Sequence, residues 1–169
     1  MLFSFGYFSA YIAFIFDLNF KEILNPSFFT ISNLLNVLRQ TSINAIIAAG
    51  MTFVILTGGI DLSVGSILAF SGAVAAQLLV SGQNLIIVLI VSLIVGAGIG
   101  AINGIIISKG KVQPFIATLV TMTAFRGVTM VFSDGKPISF TNVEGSLAFG
   151  SIGGGSILKI PYPVIIMII

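Results

Sequence analysis

The stretch Thr57-Gly58-Gly59-Ile60-Asp61-Leu62-Ser63-Val64-Gly65-Ser66 carries the only charge between Arg39 and Lys109. The sequence on both sides of it is strongly apolar. A carboxylate is costly at the centre of a lipid bilayer, whereas at a turn near the membrane surface its cost is modest. The place of Asp61 relative to the flanking helices therefore decides how this sequence folds.

The composition indicates a protein whose solvent is largely the lipid bilayer. Of the 169 residues, 57% are hydrophobic and only 7% are charged, and the mean hydropathy is +1.18. A soluble domain carries about a quarter charged residues. The net charge of +2 is small and scattered along the chain, so it predicts no nucleic-acid partner.

Several kinds of chemistry are excluded by the residues that the sequence lacks. It has no Cys and no His, which removes thiol nucleophiles, disulfides, most transition-metal sites and the usual general base. There is no phosphate-binding loop of the Gly-x-x-x-x-Gly-Lys-Ser/Thr type and no pair of adjacent carboxylates. The sequence therefore predicts no metal, no cofactor and no enzymatic activity.

The apolar runs predict an all-α, polytopic transmembrane helix bundle in a single domain, residues 1–169. Runs of about 20 apolar residues are long enough to span a bilayer. The predicted spans are 1–16, 40–60, 62–80, 85–107 and 114–132. Before the second span, a short interfacial or connecting helix, which Thr30 or Ser32 can cap, runs to Arg39. Pro161-Tyr162-Pro163 opens an apolar run too short to cross a membrane. We therefore expect about five full spans and the start of a sixth, in a domain incomplete at its C-terminus.

The lysines predict an orientation. Lys109 and Lys111 form the densest positive cluster, so by the positive-inside rule the loop 109–111 is cytoplasmic. Counting spans outward from it places the Asp61 turn near the cytoplasmic face. The polar, glycine-rich segment 133–159 is then an external loop.

Asp61 has two interpretations. In the first, Gly58 and Gly59 end one helix, and Asp61 or Ser63 caps the next. In the second, the glycines break the backbone so that the carboxylate faces a polar cavity on a substrate pathway or a partner.

Two more polar residues lie within predicted spans. Asn103 fits an interhelical hydrogen bond, or a hydroxyl-binding residue on a substrate path. Arg126 fits a side chain that snorkels to the external interface, or a partner of Asp61. Gly96, Gly100 and Gly104 recur every four residues beside Asn103 and predict close helix packing.

Several blocks of the sequence, taken together, resemble a known transporter family. They are Asn33–Gln40, Gly50–Leu56 running into Thr57–Ser66, Ala101–Gly104, Pro114–Leu119, and Arg126-Gly127. The family is the ribose-type sugar permeases of bacterial ATP-binding-cassette importers, and the stretch around Asp61 is the most specific block. The similarity runs in order from about Pro26 to Pro163, which corresponds to the N-terminal half of such a permease.

The resemblance implies a subunit of about ten helices in the bacterial inner membrane. Two such subunits, a homodimer, would form the pathway for a ribose-like monosaccharide. A cytoplasmic ATPase subunit and a periplasmic or extracellular sugar-binding protein would be its partners, and ATP hydrolysis would occur on the ATPase. The alternative is an ion-coupled secondary transporter with Asp61 as the coupling carboxylate. A membrane enzyme is a distant third, because no nucleophile and base can be paired.

Overall fold

The computed structural model describes residues 29–141, 143 and 145–168. Four long helices follow one another: α1 (Ile31–Leu56), α2 (Val64–Val80), α3 (Leu85–Ser108) and α4 (Pro114–Phe132). They are followed by α5 (Ser146–Gly154), the strands β1 (Ser156–Ile157) and β2 (Ile160–Pro161), and α6 (Tyr162–Ile168). The predicted span 1–16 lies outside the described residues.

The described part of the chain is mostly helical, which confirms the all-α membrane bundle. Three of its helices, α1, α3 and α4, are long and apolar enough to cross a membrane, and α2 is a shorter apolar helix of 17 residues. The total of five spans, and the ten helices that the resemblance implies, stay predictions.

Helix α1 differs from its prediction. The prediction of a short helix ending at Arg39 and a separate span beginning at Gln40 is wrong, because one continuous helix runs from Ile31 to Leu56. Its first 19 residues contain neither Gly nor Pro, so nothing in the backbone interrupts it before Gly50. The polar Ser42 is accommodated inside the helix, where its hydroxyl donates to the Arg39 carbonyl at 2.8 Å. Thr30 caps the N-terminus by accepting from the Asn33 N–H at 3.3 Å.

Helices α2, α3 and α4 pack against one another within a compact unit, Ala45–Gly155. Ala75, Leu79 and Val88 are its buried apolar cluster, with Phe140 and Phe149 packed against them. Between α2 and α4, the Phe70 ring contacts those of Phe125 and Phe132, with centroids 5.3 and 5.8 Å apart. Apolar and aromatic contacts therefore hold one part of this unit together.

The segment 133–159 contains more structure than the predicted loop. Gly145, in the left-handed conformation with φ 85°, precedes α5. The Phe149 ring on α5 meets that of Phe140 edge-on at 5.6 Å. Beyond α5, β1 and β2 form an antiparallel two-stranded hairpin. Hydrophobic residues in this polar segment thus order it, and its external position stays a prediction.

Candidate functional site

The C-terminus of α1 is closed by the two glycines ahead of Asp61. Gly58 has φ +75°, and its N–H donates to the Ile55 carbonyl at 2.9 Å, while the Gly59 N–H reaches the Val54 carbonyl at 3.0 Å. This pair of bonds is the Schellman motif, which satisfies the last carbonyls of a helix. Gly59 is buried, and a Cβ there would lie only 3.3 Å from Val54 and 3.6 Å from Pro114. The backbone therefore leaves α1 here and turns toward α4.

The Asp61 carboxylate lies in the connection between α1 and α2. Its Oδ1 accepts from the Ser63 N–H at 2.7 Å and from the Ser63 hydroxyl at 2.5 Å. Ser63 occupies the N-cap position of α2, but its side chain makes no capping bond to that helix. The Ser63 hydroxyl donates its proton to Asp61 instead, so Asp61 fixes the conformation of the chain just before α2.

A chain of hydrogen bonds continues from Ser63 into two other helices. The Asn103 Nδ2 on α3 donates to the Ser63 Oγ at 2.9 Å, and the Thr121 hydroxyl on α4 donates to the Asn103 Oδ1 at 2.5 Å. We call Asp61, Ser63, Asn103 and Thr121 the polar junction. It joins the connection before α2 to both neighbouring helices.

The carboxylate sets the direction of every bond in the polar junction. Because a carboxylate accepts, the single hydroxyl proton of Ser63 is directed to Asp61. The Ser63 oxygen is then left to accept from the Asn103 amide nitrogen, which turns the amide oxygen toward Thr121. Asn suits this position because its amide accepts through the oxygen and donates through the nitrogen.

The junction is buried except at its charged end. Ser63 is 0% exposed, Asn103 4% and Thr121 8%, whereas Asp61 is half-buried. A buried polar group without a partner costs about 1–3 kcal/mol, and satisfied networks hold a specific geometry. The burial and the bonding together make this the most directional contact among α2, α3 and α4.

A second threonine on α4 forms a hydrogen bond to the connection between α1 and α2. Thr118 is 1% exposed, and its hydroxyl lies 3.2 Å from the Ile60 carbonyl and 2.8 Å from the Pro114 carbonyl. Sequence reasoning missed Thr118 and Thr121. Their spacing of three residues places both on one face of α4 beside Ala117, which is also buried.

A cleft of about 390 Å³ opens beside the polar junction. Its polar lining includes Asp61, Asn103, Thr57, Ser108 and Thr118, and its apolar lining includes Val54 and Ile107. Gly100 and Gly104 line it where α3 passes, since neither presents a side chain. The cleft is of the size that small-molecule sites have in proteins.

Comparison with known proteins identifies the family. Residues 33–154 match the family described as "Branched-chain amino acid transport system / permease component". The chain belongs to this permease family. Its apolar helices agree with a multi-pass integral membrane protein.

The relatives within this family include sugar permeases. A ribose import permease protein of Haemophilus influenzae is 52% identical over 158 residues, which is 94% of this chain and 49% of that relative. The ribose import permease protein of Bacillus subtilis is 55% identical over 148 residues, 88% of this chain and 45% of the relative. A galactofuranose transporter permease protein of Escherichia coli is 42% identical over 135 residues, which is 80% of this chain and 38% of that relative. The chain thus spans about half the length of the ribose permeases it matches. No solved structure matches it.

The remaining predicted site residues lie outside the polar junction. Arg126 is exposed on α4 and makes no ion pair with Asp61. A Cβ at Gly96 would lie 3.9 Å from Ile67 and Ser71 of α2, so the two helices are close there. At Gly100 and Gly104 a Cβ would meet no atom within 4 Å, and their role in packing stays a prediction. Among the described residues, no group of His, Cys, Asp or Glu could hold a metal.

Proposed function

We propose that this chain is part of the membrane-spanning permease of an ATP-driven importer for a ribose-like monosaccharide. The observation that carries the proposal is identity above 50% to ribose import permeases over 85–94% of the chain. Relatives at about 40% identity are named for galactofuranose, fructose and D-allose, so the wider set also handles neutral monosaccharides. Ribose is therefore the first substrate to test.

The translocation pathway would pass the cleft beside Asp61. In support, the cleft combines a carboxylate, an amide and three hydroxyl-bearing side chains with an apolar wall. Neutral polyols need such hydrogen-bonding groups, whereas an apolar substrate would not. Asp61 and Asn103 are the residues proposed to meet the substrate, and Gly58, Gly59 and Ser63 the residues that shape the turn. Arg126, exposed on α4, is proposed to lie at the external membrane interface.

The proposed partners follow from the importer class. A second permease subunit would complete the pathway, an ATPase would bind on the cytoplasmic side, and a sugar-binding protein would dock outside. The orientation, with 109–111 cytoplasmic and 133–159 external, rests on the lysine pair Lys109 and Lys111, both exposed in the turn after α3. The membrane would be the bacterial inner membrane.

Ion coupling through Asp61 is the less favoured function. Every relative compared above is named as a permease or transport-system permease, and none of the names refers to ion coupling. Within the described residues, Asp61 is also already bonded twice through one carboxylate oxygen to Ser63. A coupling carboxylate has to exchange its ion or proton during each cycle, and such a fixed position does not favour it.

The test is uptake of radiolabelled D-ribose into proteoliposomes that contain the complete transporter with its ATPase and binding protein. We expect uptake to require ATP on the ATPase side and to stop when the ATPase is inactivated by substitution. It should continue when ionophores collapse the ion gradients. Uptake that persists without ATP, or that disappears with the gradients, would overturn the proposal in favour of ion coupling.

A further inference from the structure

We propose that the cleft beside the polar junction is a binding subsite for two neighbouring hydroxyl groups of a neutral sugar. Asp61 accepts a hydrogen bond from one hydroxyl, and Asn103 donates a hydrogen bond to the other. This inference rests on the proposed function, in which the chain conducts a monosaccharide, and it names the chemistry by which the pathway recognises it.

The first half of the subsite is the free oxygen of Asp61. Both bonds that Asp61 makes are accepted by Oδ1. Within the part of the chain that the structure describes, Oδ2 has no hydrogen-bond partner and no counter-ion. The side chain is half-buried and lines the cleft, so this oxygen is a strong acceptor at the edge of a confined space. Hydrogen bonds to a charged group are about twice as strong as neutral ones.

The second half is the free N–H of Asn103. The amide nitrogen carries two hydrogens, and one of them goes to the Ser63 oxygen at 2.9 Å. The other has no partner among the described residues, although Asn103 is 4% exposed and lines the cleft. A buried donor without a partner is unfavourable, so a ligand oxygen at this position would be stabilising.

An acceptor and a donor that are linked through the same residue, Ser63, match a pair of adjacent hydroxyls. One hydroxyl of the pair donates to the carboxylate, while the oxygen of its neighbour accepts from the amide. Asp61 and Asn103 are held at a fixed separation because both bond to Ser63. Ser63 and Thr121 are therefore positioning residues, which act on the sugar only through Asp61 and Asn103.

The rest of the cleft lining disfavours anions and provides acceptors. The Thr57 hydroxyl donates to the Val54 carbonyl at 2.8 Å, and the Ser108 hydroxyl to the Gly104 carbonyl at 2.6 Å. Thr118 likewise donates to backbone carbonyls. These hydroxyls offer only lone pairs to a ligand, and no Lys or Arg lines the cleft. A sugar phosphate would therefore meet a carboxylate without a compensating cation.

A metal or ammonium cation fits the cleft less well than a polyol. The carboxylate and the hydroxyl oxygens would attract a cation, but the free N–H of Asn103 would point its positive end at it. The apolar wall formed by Val54, Ile60 and Ile107 also suits the C–H face of a sugar ring. We therefore commit to a neutral polyol and make cation binding an outcome of the test.

The experiment places a thiol in the cleft, since these 169 residues contain no cysteine, and any cysteine elsewhere in the complete protein is first replaced by serine. Thr57→Cys introduces a single thiol into the cleft lining, and the readout is its rate of reaction with a hydrophilic maleimide in detergent solution. Ser81→Cys in the turn between α2 and α3 is the matched control, because Ser81 is exposed and its hydroxyl bonds only to the Gln77 carbonyl. If D-ribose occupies the cleft at ten times its dissociation constant, mass action should slow labelling of Thr57→Cys about tenfold. Labelling of Ser81→Cys should not change.

The carboxylate is tested by adding Asp61→Asn to Thr57→Cys. Asn retains an oxygen that can accept both bonds from Ser63, but it replaces the free acceptor by an N–H donor. We expect protection by D-ribose, measured as the ratio of the labelling rates without and with sugar in each variant, to disappear. A second measurement does not depend on this variant: cis-1,2-cyclohexanediol should protect Thr57→Cys, and cyclohexanol at the same concentration should not.

Three results would overturn the subsite. The first is that D-ribose does not slow labelling of Thr57→Cys. The second is that D-ribose slows labelling equally after Asp61→Asn is added. The third is that ribose 5-phosphate, or sodium chloride compared with choline chloride, protects the thiol as well as D-ribose does or better. The proposed function is judged separately by the uptake assay. ATP-dependent ribose uptake without cleft protection would refute only the subsite, whereas failure of uptake would refute the importer itself.

Discussion

The two ends of the α2–α3 hairpin are held together by opposite means. At one end Ser63 and Asn103 meet through a hydrogen bond that continues to Asp61 and Thr121. At the other end Leu79 and Val88 are both 0% exposed and pack with Phe140 and Phe149. The same two helices thus carry a directional polar contact at one end and a non-directional apolar contact at the other.

This difference matters because of the solvent. In lipid, the tails are as apolar as Leu, so the apolar end gains packing contacts but little hydrophobic driving force. The polar end is specific, because its bonds require particular atoms at particular distances. We therefore expect the polar end to fix the geometry of the bundle and the apolar end to tolerate repacking.

The largest expected effect on stability comes from Asn103→Asp, which replaces the amide donor by an acceptor while keeping the shape of the side chain. A second carboxylate cannot donate to Ser63, and the one Ser63 proton cannot satisfy both acids. A buried polar group left without its partner costs about 1–3 kcal/mol, and more when the group is charged. We expect a marked loss of thermal stability in detergent, measured by the temperature of unfolding. Stability equal to that of the unaltered protein would show that the bond chain does not hold the junction.

The next effect is expected from Leu79→Ala at the apolar end. Leu→Ala substitutions in protein cores cost about 2–5 kcal/mol, and we expect about 2 here because lipid replaces part of the lost contact. The same thermal measurement applies, with Leu68→Ala, an exposed position on the same helix, as control. If Leu79→Ala destabilises more than Asn103→Asp, the apolar end and not the polar one dominates.

The smallest expected effect comes from Thr121→Val, which removes the last donor of the junction without changing its volume. Interhelical hydrogen bonds in membranes contribute about 0.6–2 kcal/mol, and we expect a loss in that range. Thr123→Val is the control, since Thr123 is exposed two residues further along α4 and should change stability by less than about 0.5 kcal/mol. If the two variants lose the same stability, the hydrogen bond of Thr121 does not stabilise the polar junction.

The sequence was sufficient to predict the helices that lie between clear interruptions. Helix α3 was expected at 85–107 and is found at Leu85–Ser108, and α4 was expected and found at 114–132. Long apolar runs with turn residues or Pro at their ends leave the backbone few alternatives. The boundary placed at Gln40 failed because polarity alone does not interrupt a helix that lacks Gly and Pro.

The candidate site could be predicted only in part. Asp61 and Asn103 stand out in sequence because a charge and an amide are rare in apolar runs. Thr118 and Thr121 do not, since threonine can satisfy its hydroxyl on its own helix and is common in membrane spans, as the exposed Thr123 illustrates. Which threonine faces a partner depends on how α4 packs on α3, and this is set by tertiary contacts that no single helix encodes.

The wide spacing of the junction residues has a consequence for biosynthesis. Asn103 follows Ser63 by 40 residues, Thr121 follows Asn103 by 18, and Thr118 follows its partner Ile60 by 58. A ribosome delivers these segments to the membrane one after another, N-terminal segment first. Asp61 and Ser63 therefore enter before any of their interhelical partners exists, and the junction closes only after α4 has been made.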